Sequence, residues 1–248
     1  MCGRYQQLLG PDELARLYAV QRQAWGRPFK WPNHNVAPRQ SVPVILQDAD
    51  GQRICRTMRW GFPPQWVKRQ GKDPFNAPPL TNARAETASS KRTWATAVAS
   101  QRCLVPTTGF YEWVRGGSGK RKKALYPFHI ARSQAEPEGP LLTLGGVWSS
   151  FAWGDAPDKQ DWPCMSILTT VPPAEVAPVH DRCPVVIAPE DRARWLDPST
   201  AEDEVRALMA GVQDGLLQRT PVNTALNSRT ASGPETLVAD WDPAALGL

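Results

Sequence analysis

A cysteine stands directly behind the initiator methionine in "MCGRYQQ". Once Met1 is removed, Cys2 carries a free α-amine and a thiol on adjacent carbons. An α-amine has a pKa of about 7.7–8.0 against about 10.4 for lysine, so far more of it is nucleophilic at neutral pH. Such an amine condenses with an aldehyde to an imine, and the thiolate then adds to the imine carbon, closing a five-membered thiazolidine. The second step is intramolecular, which is a large entropic gain. A lysine would stop at the imine. Taken alone, Cys2 reads better as a stray thiol at a frayed end.

Other polar patches bear on that choice. Glu112 in "GFYEW" falls on a strand, where alternation puts it on the face opposite Tyr111 and Trp113. A carboxylate among aromatics is expected to have a raised pKa and to shuttle protons; the plainer reading is a surface glutamate in an ion pair. His180 in "VHDRCPVVI" changes charge near neutral pH, although a lone histidine is more often structural. Asn82 in "TNARAET" offers a hydrogen-bonding amide, or simply forms a turn.

The histidines His34, His129 and His180 are widely separated, so no local metal pair exists. No phosphate-binding G-x-x-x-x-G-K-[ST], nucleophile-elbow G-x-S-x-G or H-E-x-x-H motif is present. No metal and no cofactor is called for. Five scattered cysteines without a C-x-x-C pair argue against a disulfide framework and fit a reducing compartment. The polar N-terminus lacks a signal-peptide core, and no run reaches the ~18–20 apolar residues of a membrane span. The expectation is a cytoplasmic protein with no membrane partner. A formal charge of +5 favours a polyanion, and 11 tryptophans supply core ballast or platforms for unpaired bases.

The elements that must position these residues are short, as 25 prolines in 248 residues predict. Pro11 to Val20 reads as a helix with Leu14, Leu17 and Tyr18 on one face. Trp25 to Arg39 reads as irregular. Strand-like runs begin at Val42, Arg53, Arg102, Leu125, Leu141, Cys164 and Pro184. "RGGSGKRKK" reads as a hairpin loop, and Ser133–Pro140 and Ala152–Pro163 as surface loops. "STAEDEVRALMAGV" suggests a capping box and an amphipathic helix. The segment "RTPVNTALNSRTASGPETL" reads as polar and irregular. The pattern is α+β: one domain over residues 1–248, with curved antiparallel sheets and flanking helices.

The patches "CGR" at Cys2, "NVAPRQ" at Asn35, "TNARAET", "GFYEW" and "VHDRCPVVI" resemble, in order and nearly end to end, the SOS response-associated peptidase (SRAP) family. The motif-bearing core runs over about residues 2–228. The resemblance implies a barrel-like α+β fold, a basic groove for single-stranded DNA, and covalent capture of abasic sites through Cys2. It makes Glu112 catalytic, has His180 assist ring opening and crosslink reversal, and has Asn82 hold the amine or the sugar. It places Arg4, Arg84 and Arg182 on phosphates near the site. Asn35, Pro38, Arg39 and Arg92 join the DNA-binding set by motif proximity, and Glu86 orders the arginines. Trp66 takes a base-stacking position, but Val67 follows where some members carry a second tryptophan. Cys183 stands where methionine or arginine is common and is read as a packing residue.

Three functions follow. The first is a monomeric sensor that crosslinks itself to abasic sites in single strands or at single-strand/duplex junctions, nucleoid-associated when bound, with peptidase and lyase-type steps around Met1 removal and crosslink reversal. The second is an N-terminal-nucleophile peptidase or amidohydrolase. The third is a non-catalytic DNA-binding reader. Basic charge and the arginine–aromatic mixture favour the first.

Overall fold

A computed structural model describes residues 2–68, 73–116, 123–133, 141–153 and 160–246. The strands among them are β1 (Arg4–Gln7), β2 (Arg22–Ala24), β3 (Asn33–Val36), β4 (Ser41–Gln47), β5 (Arg53–Trp60), β6 (Asn82–Arg84), β7 (Arg102–Thr107), β8 (Gly109–Gly116), β9 (Lys123–Arg132), β10 (Leu142–Trp153), β11 (Gln160–Thr170), β12 (Cys183–Pro184) and β13 (Leu217–Pro221). The helices are short: α1 (Pro11–Leu17), α2 (Gln65–Lys68), α3 (Ala85–Ala88), α4 (Ala95–Ser100), α5 (Arg192–Leu196) and α6 (Glu202–Leu208).

Strands β11, β10, β7, β4 and β5 lie side by side, and β5 returns to pair with β11, closing a five-stranded barrel. Every ladder in the ring is antiparallel except the closing one, where Cys164 and Met165 run parallel to Arg59 and Trp60. The expected α+β fold with a barrel-like sheet is the one found, with this parallel seam as its departure from pure antiparallel pairing. A second, antiparallel sheet has the order β13-β9-β8-β1-β3.

Period-2 alternation divides the barrel's apolar residues between two packing clusters. Val42, Val44, Trp60, Cys103, Val105, Leu144, Met165 and Ile167 pack with Tyr5, Phe110 and Ile130 of the second sheet. Ile45, Cys55, Leu104, Cys164 and Leu168 pack instead with Leu14, Ala97, Val98, Trp195 and Val205 from the helices. Cys2 belongs to the first cluster and is fully buried.

Several local expectations change. The helix at Pro11 stops at Leu17, because Tyr18 turns inward to hydrogen-bond Thr143 (2.7 Å) and Ala19 takes φ 49°. The apolar run from Arg102 is not one strand. It breaks at Thr108, and its halves enter different sheets. Gln6 pegs that corner: its carbonyl accepts from the Thr107 hydroxyl (2.6 Å) and the Thr108 N–H (3.0 Å), and its side chain accepts from the Thr108 hydroxyl (2.8 Å). A side-chain peg of this kind leaves no trace in hydrophobic periodicity.

The run at Pro184 contributes only the two residues of β12 and a bridge from Val186 to Leu144. The supposed loop Ala152–Pro163 is partly strand, with β10 reaching Trp153 and β11 starting at Gln160. The irregular stretch Trp25–Arg39 contains β3, and Arg219–Pro221 belong to β13. No capping box opens α6. Its N-cap is Ala201, while Ser199 bonds the Asp197 carboxylate and Thr200 the Arg194 carbonyl. Of the hairpin-loop reading at "RGGSGKRKK", Arg115 and Gly116 belong to β8 and Lys123 to β9, while 117–122 and most of Ser133–Pro140 lie outside the described residues.

Gly109 opens the "GFYEW" motif where no side chain fits: a Cβ there would collide with the His129 ring and come within 2.9 Å of the Ile130 carbonyl. His129 lies against Tyr111, with ring centroids 5.2 Å apart, and its Nε2 is buried without a hydrogen-bond partner. Burial, helped by the neighbouring His34, pushes its pKa down to about 4. In the unfolded chain it titrates near 6.5. Between those values the unfolded chain takes up a proton that the folded chain refuses. The contribution is therefore full above pH ~6.5 and is lost as pH falls toward ~4, by up to roughly 3 kcal/mol. Urea unfolding at neutral and acid pH is expected to show this loss, and His129→Gln to flatten the slope. An equal slope in the variant would assign the acid sensitivity to other groups.

Candidate active site

Cys2 lies two residues before β1, which is held between β8 (Arg4 opposite Tyr111, Tyr5 opposite Phe110) and β3 (Tyr5 opposite Val36). Pairing on both sides holds the first residues of the sequence in the middle of a sheet instead of fraying, which removes the frayed-end reading of Cys2. Its thiol lies 3.8 Å from the Arg4 carbonyl. The carbonyl of Cys2 accepts a 2.9 Å hydrogen bond from Asn82 Nδ2. Asn82 is delivered by β6, a short strand running parallel to β11 with Asn82 beside Ile167. Its Oδ1 is buried with no hydrogen-bond partner. The Cys2 thiol is pushed well above its ordinary pKa, first by burial and then by the negative charge of Glu112. At neutral pH it holds its proton until a base takes it.

Glu112 sits on β8 opposite Phe128 of β9, only 3% exposed. Tyr111, its neighbour on the other face, packs with Val222, Leu226 and Trp113. The alternation expected around Glu112 is thus realised, and it directs the carboxylate toward Cys2. Its Oε2 lies 3.9 Å from Nε2 of His180. On its other side, His180 Nδ1 meets the Arg182 N–H at 2.9 Å and the Asp181 carboxylate at 3.0 Å. A neutral ring accepts from the Arg182 N–H and points its Nε2 proton at Glu112. An imidazolium instead has Asp181 facing Nδ1 and Glu112 facing Nε2. Either protonation state therefore has partners, which suits a group that passes protons. Cys183 is buried close by: burial, and then the Glu112 charge, push its thiol pKa up, and it acts on the Cys2 thiol in turn. Among the described residues no group of three or more His, Cys, Asp or Glu side chains could hold a metal ion.

The arginines fall into two kinds. Arg182 is tied down: Nη1 and Nη2 bond the two Glu86 oxygens at 2.7 and 2.8 Å, with a further bond to the Thr169 carbonyl. Arg4 donates to Asn35 Oδ1 (2.8 Å) and the Leu226 carbonyl (3.2 Å), and its guanidinium lies 5.9 Å from the Trp113 ring centre. Asn35 is buried, and its Nδ2 bonds the carbonyls of Ser228 and Ala231 (3.2 and 2.5 Å). Its amide therefore holds Arg4 and the 228–231 segment in place. Arg84 is exposed, on the same face of β6 as Asn82. Arg39 is exposed, adopts φ 76°, and bonds the carbonyls of Asn76 and Ala77, beside a half-buried Pro38. Trp66, 51% exposed, and Arg92 line a separate groove of about 550 Å³ with Phe62 and Phe151.

So the structure gathers Cys2, Asn82, Glu112 and His180 around one point, with Arg4 and Asn35 attached through β1 and β3. Sequence reasoning passed over Cys183 as a neighbour of the site and over Arg229, whose charge bears on Arg4. The substitution at Cys183 was visible, but its proximity to Cys2 was not. Arg229 stands in a polar segment with no periodicity to mark it.

Comparison with known proteins adds four findings. The family model described as "SOS response associated peptidase (SRAP)" matches residues 1–229. The abasic site processing protein YoqW of Bacillus subtilis (strain 168) is 28% identical over 238 residues, covering 96% of this chain and 99% of its own. The abasic site processing protein HMCES of Gallus gallus is 30% identical over 266 residues, covering 96% of this chain and 77% of its own. A solved structure of a Bacteroides thetaiotaomicron protein shares the fold, with a TM-score of 0.76 at 20% identity, over 97% of this chain and 100% of that one.

Proposed function

The chain belongs to the SOS response-associated peptidase family, and from that premise we propose that it processes abasic sites in DNA by forming a covalent link through Cys2. The observation that carries the reading is the convergence of Glu112, His180 and Asn82 on a cysteine at position two. Removal of Met1 turns the Cys2 nitrogen from an amide into an amine. The amine attacks the C1′ aldehyde of the ring-opened deoxyribose; a carbon–nitrogen bond forms and, after loss of water, an imine remains. The sulfur of Cys2 then adds to the imine carbon, and the thiol proton ends on the ring nitrogen.

Each protein group has a task in this scheme. Because burial and Glu112 keep the thiol protonated, ring closure needs a proton carrier. The Glu112 carboxylate is that carrier, with His180 behind it supplying or accepting the proton. Asn82 holds the Cys2 carbonyl and so fixes the direction of the amine. The same proton path run backwards opens the ring and reverses the link. We assign single-stranded DNA as the partner, and the peptidase label chiefly to removal of Met1. Several exposed arginines, including Arg84 and Arg39, stand ready to meet phosphates. No feature of the site favours a free amide or peptide as substrate.

The test incubates the purified protein with single-stranded DNA carrying one abasic site and resolves the products on a denaturing gel. Intact-mass measurement reports whether Met1 is gone. A heat-stable shifted band is the expected result. Its absence in protein that has lost Met1 overturns the reading.

A further inference from the structure

Strand β5 and the loop between β2 and β3 carry arginines that nothing in the proposed chemistry uses. Arg27 lies flat on the Trp162 ring, its guanidinium carbon 3.5 Å from the ring centre. Arg59 of β5 lies 5.6 Å from the Phe75 ring centre and donates only to the carbonyls of Arg39 and Phe75, at 3.3 and 3.4 Å. Arg56, also on β5, has its Nε buried with no hydrogen-bond partner. These three guanidinia line one cavity of about 220 Å³ with Thr57, Trp162 and a single carboxylate, Asp161. Among the described residues none of the three has an ion-pair partner.

The cavity is built into the fold. The Thr57 hydroxyl donates to the Arg27 carbonyl (2.8 Å) and accepts from the Gly26 N–H (3.1 Å), stapling the loop that carries Arg27 onto β5. Burial lowers the pKa of Arg56 and Arg59; Arg22 adds to the shift of Arg56, and Arg39 and Arg27 add to that of Arg59, where Cys164 and Asp73 oppose them. Three arginines around a single carboxylate leave the cavity complementary to an anion.

Its position suggests which anion. Ser41 lines this cavity and also a second one of about 330 Å³, whose wall includes Lys30, Arg229 and Asn35. Asn35 in turn holds Arg4 beside Cys2. The two cavities meet at Ser41, and together they are lined by five basic side chains and one acidic one. Aromatic rings flank them: Trp25, Phe29 and Trp31 form an edge-to-face cluster in the loop that carries Arg27 and Lys30, and Trp25 is 40% exposed. A basic groove interleaved with aromatic faces is the pattern that binds single strands without reading their sequence.

The geometry points to a second single-strand track, formed by Arg27, Lys30, Arg56 and Arg59, that holds the strand flanking the captured site on one side. This extends the abasic-site reading and takes from it the identity of the ligand. Isolated phosphate would meet only the cavity of Arg56, whereas a strand would use both cavities at once.

The test measures equilibrium binding to single strands bearing a non-reactive abasic analogue, with flanks of about three or about twelve nucleotides on either side. The unmodified protein is expected to gain affinity from a long flank on one side. The Arg27→Ala/Arg56→Ala protein is expected to lose roughly tenfold of that gain, and its log–log salt slope to fall by about 1.4, at about 0.7 per phosphate on single strands. Arg27→Glu, at an exposed position whose backbone carbonyl and not its side chain holds the Thr57 staple, is expected to lose at least as much. Binding to the short strand and the crosslinking rate should be unchanged in all variants.

An equal long-flank gain in the variants would overturn the inference. So would loss of binding to a polyaspartate peptide without any flank effect, which would assign the track to an acidic protein. Failure of the abasic-site reading looks different: the unmodified protein would then form no crosslink with the short strand, while a flank effect on plain single strands would still support the track.

Discussion

Cys2→Ser is expected to convert a persistent DNA link into a fleeting one, with heat-stable adduct reduced by at least about a hundredfold. The substitution leaves the amine in place, so imine formation survives. What it removes is the sulfur. A serine hydroxyl at this buried point is a far weaker nucleophile toward an imine, and the oxygen-containing ring it would form reopens readily. Borohydride, which reduces imines to stable amines, should therefore recover a band with the Cys2→Ser protein that heating alone destroys. Cys2→Ala should behave the same way, because it too keeps the amine. A heat-stable adduct in either variant, without reductant, would show that sulfur is not the second bond. Absence of a trapped band despite verified loss of Met1 would show that the amine is not the first. The mass measurement is needed because retention of Met1 in the variants would point to Cys2 acting in its own processing.

The parts of this site were legible in the sequence to different degrees. Glu112 was placed correctly relative to Tyr111 and Trp113 because a strand's alternation is a local property. Its 3.9 Å approach to His180 is a tertiary fact that no local pattern encodes. Asn35 shows the reverse case: it was grouped with DNA contacts by its motif, yet the structure spends its amide on Arg4 and on carbonyls nearly two hundred residues downstream. The fold class followed from short β-branched and aromatic runs punctuated by proline. The barrel's closure did not, because it depends on a two-residue parallel pairing between β5 and β11 with no composition of its own. The break at Thr108 likewise depends on Gln6, a residue from another strand. Arg27 and Arg56 were invisible as a cluster, since each alone is an ordinary arginine and only the Thr57 staple brings them together.

Glu112→Gln tests the other half of the mechanism and is expected to slow adduct formation on the order of a hundredfold, the usual contribution of a positioned acid–base group. The amide has the shape of the carboxylate but neither accepts nor delivers a proton at the same atom. A second readout separates this role from a merely structural one. Glu112 is the largest charge holding the Cys2 thiol pKa up, second only to burial. Removing the charge should move that pKa down toward its ordinary range, though burial keeps it from reaching it. The variant should therefore be slower in capture while its Cys2 titrates at lower pH, a combination that loss of packing alone does not produce. Glu112→Asp, which keeps the charge on a shorter arm, should restore the high thiol pKa and only part of the rate. Reversal should slow together with capture, because both directions cross the same proton transfer. Capture within about threefold of the unmodified protein would leave no transition-state role for Glu112, and His180 would then have to carry the proton directly to and from the sugar.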